Sequence, residues 1–553
     1  REKIHLRADK KGSFCMSKNI ERAIIIIMVC GLILTGVDPI SILRTDNGPG
    51  SAPTTHLNFP DYMGFNVAAA NSGIYFVAEL NDSVNRFVNQ VDGYSISIPK
   101  EMRVVDMSLP GIRSVLEDEH RKIEIYKEIF DNGLSGYTYV NYSNRFLANR
   151  SDHRHVSRQQ LNRNGMSLNV VQWSREKLEN VKNDKNYYAC VDIMEENAVY
   201  TFFFKSDVPL DECGGYMDII ENFHTFASMK QAGSAQFKHV QPKKWNSETT
   251  AAFEKYFSAD SRLKWGVFEP SAPLHMENLQ ELEQKLDYEF PIILLYSQVR
   301  EKYDPYYVGQ ALRNAYAHGK IVELTLQTSD AGEGKNNMVY EILDGKHDEF
   351  LRAYAQDVVE FGHPVLFRPF NEMNGDWCAY SAYHTSRDTD IFKELYQYVY
   401  SIFEAAGADN VIWVWNPNEK SFPDFKWNNE LMYYPGDKYV DVVGLTGYNT
   451  GTYYNGETWR SFQEIYDPLY QRAVALYDKP LMITEFASSS VSLSKEQWVA
   501  NMFSCIDNYP NIKVAIWWDG RDLDSQGNIA RPYFIDETDE LVTIFKENLG
   551  NYK

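Results

Sequence analysis

The sequence has few cysteines, and none of them are spaced like metal ligands or a redox pair. Its six cysteines are scattered over 553 residues without a Cys-x-x-Cys pair. Zinc sites and thioredoxin-like motifs need such short spacings, so we predict neither, and we expect no metal or other cofactor. Cys190 and Cys213 flank a strand-like stretch and could form a disulfide in an exported protein. Two reduced core cysteines would fit that spacing equally well.

The chain also lacks a block of positive charge. Lys and Arg number 55 against 76 Asp and Glu, which gives a net charge of −21. A surface of this sign repels phosphate backbones, so we exclude nucleic acid as a partner. A neutral polymer would be indifferent to this charge, and a polyanionic one would be disfavoured.

A metal-dependent hydrolase would require clusters of His and Asp side chains at the ends of its strands. The sequence shows no such clusters. His153 and His155 lie two residues apart in a polar segment. Histidines in such a segment are more often solvated than metal-bound, so we predict no metal site there.

Aromatic residues are abundant. They make up 14% of the chain, with 11 Trp and 37 Tyr. Large cores would explain this content, and so would sugar binding, because flat rings stack on the C–H faces of pyranose rings. The length is too great for one ordinary domain, so we expect at least two folded units.

An apolar run near the N-terminus predicts export or anchoring. About fifteen apolar residues follow Lys18 and Arg22. A basic flank before such a run is typical of a signal sequence, and the run is short for a stable membrane span. No clear cleavage site follows, so both a cleaved signal peptide and an uncleaved signal-anchor fit. We expect the rest of the chain to be extracytoplasmic, secreted or membrane-anchored through this segment.

Composition and periodicity divide the chain into five parts. Residues 1–40 hold the apolar run, 41–73 form a Gly/Pro/Ser-rich linker, and 231–250 form a second linker. Residues 74–230 show the two-residue periodicity of strands, as in Tyr94–Pro99, and end in a helical pattern. We predict a small α+β domain with an antiparallel sheet there, without catalytic residues. Its opening Gly93–Pro99 segment and closing strand and helix resemble the PsbP/Mog1-type fold.

The second folded part, residues 251–553, has eight strand-like runs separated by helical stretches. This rhythm matches a (β/α)8 barrel, whereas a doubly wound sheet would need a glycine-rich turn after its first strand, which Phe268-Glu-Pro-Ser271 is not. The eight runs are Leu263–Phe268, Pro291–Tyr296, Lys320–Leu326, Pro364–Phe370, Val411–Trp415, Val440–Leu445, Pro480–Glu485 and Lys513–Trp518.

Two glutamates stand at the carboxyl ends of opposite strands in this count. Glu372 follows the fourth strand and Glu485 ends the seventh. Side chains at the carboxyl ends of barrel strands converge over one cavity. Glycosidic cleavage needs such a pair, one carboxylic acid to protonate the leaving oxygen and one carboxylate to attack the anomeric carbon.

The segment Arg368-Pro-Phe-Asn-Glu-Met-Asn-Gly-Asp-Trp377 resembles the acid/base motif of glycoside hydrolase family 26. Ile412–Asn418, Asp441–Tyr448 and Leu481–Phe486 resemble the same family at strands five, six and seven. The resemblance covers roughly residues 255–550 and implies a retaining glycoside hydrolase. It makes Glu372 the acid/base and Glu485 the nucleophile.

The resemblance also implies roles for neighbouring residues. Arg368 and Tyr448 would brace the nucleophile, Tyr448 by donating its hydroxyl hydrogen to the carboxylate. Sugar platforms would be formed by Trp377 together with Trp517 or Trp518. The family usually has His before the acid/base, whereas this chain has Asn371. In the wider clan an Asn at this position binds the sugar 2-hydroxyl, so the departure bears on the substrate and not on the catalytic pair.

We therefore predict a monomeric retaining hydrolase that cleaves internal β-linkages of a polysaccharide. β-Mannan or glucomannan fits the family, mixed-linkage or β-1,4-glucan fits Asn371, and xylan stays open. The alternatives are a barrel that binds polysaccharide without cutting it, and a transglycosylase. Aromatic residues in the predicted loops would extend a cleft for an internal cut, although such residues are as often packing groups; they are Trp427, Tyr433, Tyr434, Tyr453, Tyr454 and Trp459.

Overall fold

The computed structural model describes residues 73–109, 111–130, 134–212, 215–232, 237, 243–328 and 336–553. The apolar run predicted as signal or anchor, the first linker and Cys213 lie outside these ranges. Within them, no helix combines the length and the apolar character that crossing a membrane requires.

The first described region consists of antiparallel strands with two short helices, α1 (Gly136–Ser143) and α2 (Tyr216–Glu221). The predicted strand Tyr94–Pro99 has those bounds. In chain order the strands are β1 Tyr75–Glu79, β2 Val84–Asn89, β3 Tyr94–Pro99, β4 Arg103–Asp106, β5 Ser114–Glu117, β6 Arg121–Ile129, β7 Arg154–Arg163, β8 Met166–Ser174, β9 Tyr187–Met194, β10 Ala198–Ser206 and β11 His224–Thr225.

These strands form two sheets, one of four strands in the order β1-β2-β3-β11 and one of seven in the order β4-β5-β6-β10-β9-β8-β7. The central strand β10 is buried on both faces, which explains why its sequence is mainly apolar. Phe202 and Phe204 face the core of this region, to which side chains of α2 also contribute. Phe203, on the other face, packs into the same core as the second region. The seven-stranded sheet therefore lies between its own core and the following domain.

The second region is a closed barrel of eight parallel strands, as the sequence predicted. Each predicted run overlaps one strand, and the bounds differ by at most two residues. The strands are β12 Lys264–Phe268, β13 Ile292–Leu295, β14 Ile321–Leu326, β15 Val365–Pro369, β16 Val411–Trp415, β17 Val442–Thr446, β18 Leu481–Phe486 and β19 Ile512–Trp518.

Helices surround this barrel and also close one end of it. Side chains of α3 (Ser247–Phe257) pack against the first residues of several barrel strands, so the amino-terminal end of the barrel is covered. The carboxyl-terminal end, where barrel enzymes bind substrates, is left for the loops. The remaining helices are α4 Glu277–Leu286, α5 Pro305–Ala317, α6 Met338–Leu343, α7 Asp348–Phe361, α8 Thr389–Ala405, α9 Phe462–Leu476, α10 Lys495–Cys505 and α11 Asp539–Leu549.

The two regions share one hydrophobic core, which includes Trp173 and Tyr188 of the sheet as well as barrel side chains. His153 belongs to this contact. We expected it to be solvated, but it is buried and its Nε2 lies 3.1 Å from the hydroxyl of Ser386. Burial lowers its pKa to about 4, so the ring is neutral at physiological pH. The neighbouring domain thus supplies one partner of this ring, and the Asn149 carbonyl of its own domain supplies another at 3.0 Å.

Candidate active site

Glu372 lies in the turn that directly follows β15. Its backbone adopts a left-handed conformation with φ of 56°, as does that of Phe370 with φ of 55°. Side chains other than glycine rarely adopt this conformation, and it is typical of functional turns. The turn is fixed by its neighbours, because the Phe370 amide donates to the Leu326 carbonyl and the Glu372 amide to the Asn416 carbonyl, both at 2.8 Å.

Two donors hold the carboxyl group of Glu372. Asn418 Nδ2 lies 2.5 Å from Oε1, and Trp377 Nε1 lies 3.3 Å from Oε2. Burial, together with the negative charge of Glu485, raises the pKa of Glu372 to about 7. The carboxyl group is therefore suited to hold a proton near neutral pH and to release it on demand.

Glu485 ends the seventh barrel strand, β18, and its carboxylate also has two partners. Arg368 Nη1 lies 3.5 Å from Oε1. The hydroxyl of Tyr296, in the loop after β13, donates to Oε2. A cation and a hydroxyl donor orient this carboxylate and stabilise negative charge on it.

Arg368 is fully buried inside the barrel and lies between two carboxyl groups. Its Nε is 3.0 Å from Glu323 of β14, and its Nη1 donates to Asn416 Oδ1 at 2.8 Å. Burial, followed by the charge of Glu485, raises the pKa of Glu323 to about 8, although Arg368 opposes the shift. Because Glu323 is then mainly protonated at neutral pH, the guanidinium charge remains available to Glu485.

Asn371 is buried beside Glu372 and is held by its side chain and its backbone. Gln327 Nε2 donates to its Oδ1 at 2.9 Å, and the hydroxyl of Tyr380 donates to its backbone carbonyl at 2.6 Å. The side-chain oxygen is therefore engaged within the protein, which leaves the amide NH2 group as the donor that a ligand could use.

Tyr448 differs from the expectation that its hydroxyl donates to Glu485. Among the described residues, the hydroxyl donor to Glu485 is Tyr296. Tyr448 packs its ring against Trp518 and Tyr533. It is close enough that burial and the Glu485 carboxylate raise its pKa well above the ordinary tyrosine value. Tyr448 therefore lines the barrel mouth beside the carboxylate without bonding to it.

The three tryptophans predicted as sugar platforms lie in different environments. Trp377 is 41% exposed and folds back over Gly375, where a Cβ atom would be 2.4 Å from its ring. Trp518 lies at the barrel mouth, stacked on Phe268 with a centroid distance of 5.2 Å. Trp517 has no exposed surface, and its Nε1 donates to the Tyr533 carbonyl at 2.8 Å. Its inclusion was wrong, because successive strand residues point in opposite directions and only Trp518 faces the mouth.

The aromatic residues expected to extend a cleft are mostly packing groups. Trp427, Tyr433 and Tyr434 are buried. Tyr453 is exposed and donates to Asp524 at 2.9 Å, which ties its loop to a hairpin formed by β20 (Arg521–Leu523) and β21 (Ile529–Pro532). The remaining two, Tyr454 and Trp459, are partly buried.

The stacked pair Phe268 and Trp518 also lines a groove of about 570 Å³. Its lining includes the charged residues Glu269, Lys285 and Arg521. The groove is lined by Trp518, whose ring also contacts Tyr448 near Glu485, but not by Glu372 or Glu485.

Sequence reasoning missed three residues of this site. Tyr296 directly follows β13 and was included only as the end of a predicted strand, and Asn418 was only part of a quoted motif. Glu323 lies inside β14 and was not singled out. A search for every polar side chain at the carboxyl end of a predicted barrel strand would have found Tyr296 and Asn418. Among the described residues, no three His, Cys, Asp or Glu side chains are grouped as metal ligands.

The fold and the site together define a class: a TIM-barrel domain with a pair of glutamates at the ends of its fourth and seventh strands. The model of glycosyl hydrolase family 26 matches residues 321–513, a segment that contains both glutamates. Over these residues the barrel is similar to glycosyl hydrolase family 26.

Curated relatives carry the names of polysaccharide-cleaving enzymes. Endoglucanase H of Acetivibrio thermocellus is 28% identical over 306 residues, which cover 54% of this chain and 32% of that protein. A mannan endo-1,4-beta-mannosidase of Bacillus subtilis (strain 168) is 36% identical over 132 residues, which cover 23% of this chain and 32% of that protein. The chain thus spans about a third of the length of these relatives.

Solved structures with a similar barrel include two mannanases. A GH26 β-mannanase from Bacteroides ovatus has a TM-score of 0.42 and 16% identity, and covers 55% of this chain and 93% of its own. The catalytic domain of a GH26 endo-β-1,4-mannanase from Bacillus sp. JAMB-750 also has a TM-score of 0.42, with 20% identity and coverage of 57% and 93%.

Proposed function

We propose that this protein is a retaining endo-β-glycanase that cleaves internal β-linkages of a polysaccharide. The observation that carries the proposal is the pairing of two unlike carboxyl groups at one barrel mouth. Glu372 is buried and its pKa is raised to about 7, while Glu485 lies against the Arg368 guanidinium and the Tyr296 hydroxyl. One group is suited to carry a proton and the other to carry negative charge, as double displacement requires.

The reaction follows from these two roles. Glu372 donates its proton to the glycosidic oxygen while a Glu485 oxygen forms a bond to the anomeric carbon, and the leaving sugar departs with a free hydroxyl group. Glu372, now ionised, then takes a proton from water as the water oxygen attacks the anomeric carbon. The bond to Glu485 breaks, and both carboxyl groups return to their starting states.

For the substrate, we propose β-mannan or glucomannan, or a β-1,4- or mixed-linkage β-glucan. The names of the relatives, endoglucanase and mannan endo-1,4-β-mannosidase, support both classes. Asn371 offers its NH2 group towards the site because Gln327 engages its oxygen, and an amide donor suits the 2-hydroxyl of the sugar that reacts. The groove that Phe268 and Trp518 line, next to Tyr448, would give a polymer a further surface to contact.

A barrel that binds polysaccharide without cleaving it is less well supported. Binding has no use for a proton-carrying glutamate beside a second, braced glutamate. A transglycosylase would use the same residues and differ only in the acceptor of the second step. Product analysis with an added acceptor sugar distinguishes it from a hydrolase.

The deciding experiment is product release by the purified protein from glucomannan, galactomannan, mixed-linkage β-glucan, carboxymethyl-cellulose and xylan, with Glu485→Ala as control. Release of mixed oligosaccharides from mannan or glucan, lost in the variant, would establish the reaction and the substrate. Release from neither, with retained binding to one polymer, would favour the binding-only alternative.

For the location, we propose that the barrel acts outside the cytoplasm as a monomer, secreted or tethered to a membrane. The support is the basic flank and apolar run before residue 40 in the sequence. Fractionation of the producing cells, with activity assayed in the medium, the membranes and the cytosol, tests this placement.

A further inference from the structure

The loop between β15 and α8, residues 370–388, begins near the catalytic carboxyl group and ends inside the contact with the N-terminal sheets. At that end Arg387 is buried. Its Nη2 donates to the Tyr139 hydroxyl at 2.7 Å, and its guanidinium lies 5.3 Å from the ring of Trp427. Tyr139 belongs to α1 and Trp427 to the loop after β16. A buried cation that loses such partners is strongly destabilising, so this end of the loop depends on the N-terminal domain.

Asp388, the residue after Arg387, forms a second buried connection between the domains. Lys205 of β10 lies 2.5 Å from Asp388 and 2.9 Å from Asp390 of the barrel, and 2.8 Å from Glu124 of its own sheet. Opposite charges from both domains therefore neutralise one another, with Lys205, Glu124 and Asp388 buried and Asp390 partly exposed. The two domains are joined as parts of one folded unit at the point where the loop enters α8.

The start of the same loop is also held by the N-terminal domain. The hydroxyl of Tyr142, on α1, donates to Asp376 at 2.8 Å. The residue after Asp376 is Trp377, whose Nε1 is 3.3 Å from Glu372. One peptide unit thus separates a hydrogen bond to the N-terminal domain from a hydrogen bond to the catalytic carboxyl group.

Helix α1 supports the neighbouring loop, which follows β16, in the same way. The Trp427 indole donates to the Ser143 hydroxyl at 3.0 Å. Asn428 then donates to the Asn374 carbonyl at 2.9 Å. Asn418, which donates to Glu372, lies at the start of this second loop. Both side chains that donate to Glu372 therefore belong to loops that contact α1.

We propose that Tyr142 is a positioning residue of the active site: through Asp376 and Trp377 it holds Glu372 where it can protonate the leaving oxygen. The inference rests on the proposed function and extends it, because it makes the N-terminal domain part of the catalytic apparatus of the barrel. Proton transfer needs the acid within about 2.6–3.2 Å of the oxygen that it protonates. A displacement of about 1 Å can cost about 100-fold in rate, so a support outside the barrel has a measurable effect.

The test separates acid positioning from general damage by changing the leaving group. Cleavage of a polysaccharide requires protonation of the leaving sugar, whereas 2,4-dinitrophenolate leaves without a proton. We expect Tyr142→Phe to lower kcat on the polysaccharide about tenfold with little change in KM. On a 2,4-dinitrophenyl β-glycoside of the same sugar, its glycosylation rate should stay within about twofold of that of the wild type.

Tyr137→Phe is the matched control, because it makes the same change on the same helix at a side chain that is 61% exposed. It should leave both activities unaltered. Equal losses on both substrates in Tyr142→Phe would overturn the inference, since they would indicate a structural defect. Equal activity of Tyr142→Phe and Tyr137→Phe on the polysaccharide would overturn it as well.

A second pair of variants covers the case in which Tyr142→Phe does not fold. Asp376→Asn keeps an oxygen that accepts the Tyr142 hydrogen, so it should retain more polysaccharide activity than Asp376→Ala. Equal losses of polysaccharide activity in the two Asp376 variants would contradict the proposed series of contacts from Tyr142 through Asp376 and Trp377 to Glu372. The proposed function is tested separately by Glu372→Ala and Glu485→Ala. If these variants retain wild-type activity, the catalytic assignment fails. If they lose activity and only the effects of the Tyr142 and Asp376 variants are missing, the positioning role of Tyr142 alone fails.

Discussion

The hydroxyl of Tyr296, which follows the second barrel strand, donates to the carboxylate of Glu485 at the end of the seventh. The sequence assigned this contact to Tyr448, at the end of the sixth strand. Both tyrosines reach the barrel mouth, but only Tyr296 bonds to the carboxylate. The support of the proposed nucleophile therefore comes from Arg368 on one oxygen and Tyr296 on the other.

Tyr296→Phe is expected to lower kcat/KM by about 100-fold, because it removes a donor that stabilises charge on the proposed nucleophile. Tyr448→Phe should cost less, since it removes no bond to Glu485. Steady-state kinetics of the two variants on the same polysaccharide give the comparison. A larger loss in Tyr448→Phe would mean that the working enzyme uses the contact predicted from the sequence.

The pH dependence of kcat/KM should be bell-shaped, with a basic limb near pH 7. The limb belongs to Glu372, whose pKa is raised to about 7 by burial and by Glu485 and which must be protonated for the first step. Rates measured between pH 4 and 9 at low substrate concentration give the profile. Constant activity from pH 5 to pH 9 would contradict the assignment of Glu372 as the acid.

Glu372→Gln should stabilise the fold at alkaline pH but not at acid pH. The folded pKa of about 7 lies above the ordinary value of 4.5, so the folded state binds the proton more tightly than the unfolded state. Stability is therefore lost as the pH rises from about 4.5 through about 7. We expect a gain of the order of 1–3 kcal/mol at pH 8 and none at pH 4, measured by denaturant unfolding.

Trp377→Ala should affect mainly substrate binding, whereas Trp517→Ala should affect mainly stability. Trp377 is 41% exposed at the mouth, so its removal should weaken substrate binding and lower the unfolding midpoint only slightly. Trp517 is fully buried, so its removal should cost about 3–5 kcal/mol of stability. Affinity electrophoresis in soluble polysaccharide and thermal unfolding together measure both effects. A stable Trp517→Ala protein with weakened binding would restore the rejected platform.

The sequence by itself determined the barrel and predicted that Glu372 and Glu485 lie together at its mouth. Eight apolar runs at regular intervals predict the strands. Each barrel strand is buried on both faces, and such a strand has a short continuous apolar sequence that can be recognised locally. Glu372 and Glu485 could be assigned because strand ends in a closed barrel converge on one mouth, whatever the details of packing. The resemblance to family 26 rests on the same short segments.

Only the tertiary structure decided which neighbours contact the pair. Tyr296 and Glu485 are 189 residues apart, and Tyr142 and Asp376 are 234 apart. No local pattern encodes such a pairing. Several tyrosines lie near the mouth, and the length and orientation of each side chain decide which one bonds to Glu485. His153 was misjudged for the same reason: its polar segment indicates solvent, and the neighbouring domain replaces that solvent only once the chain has folded.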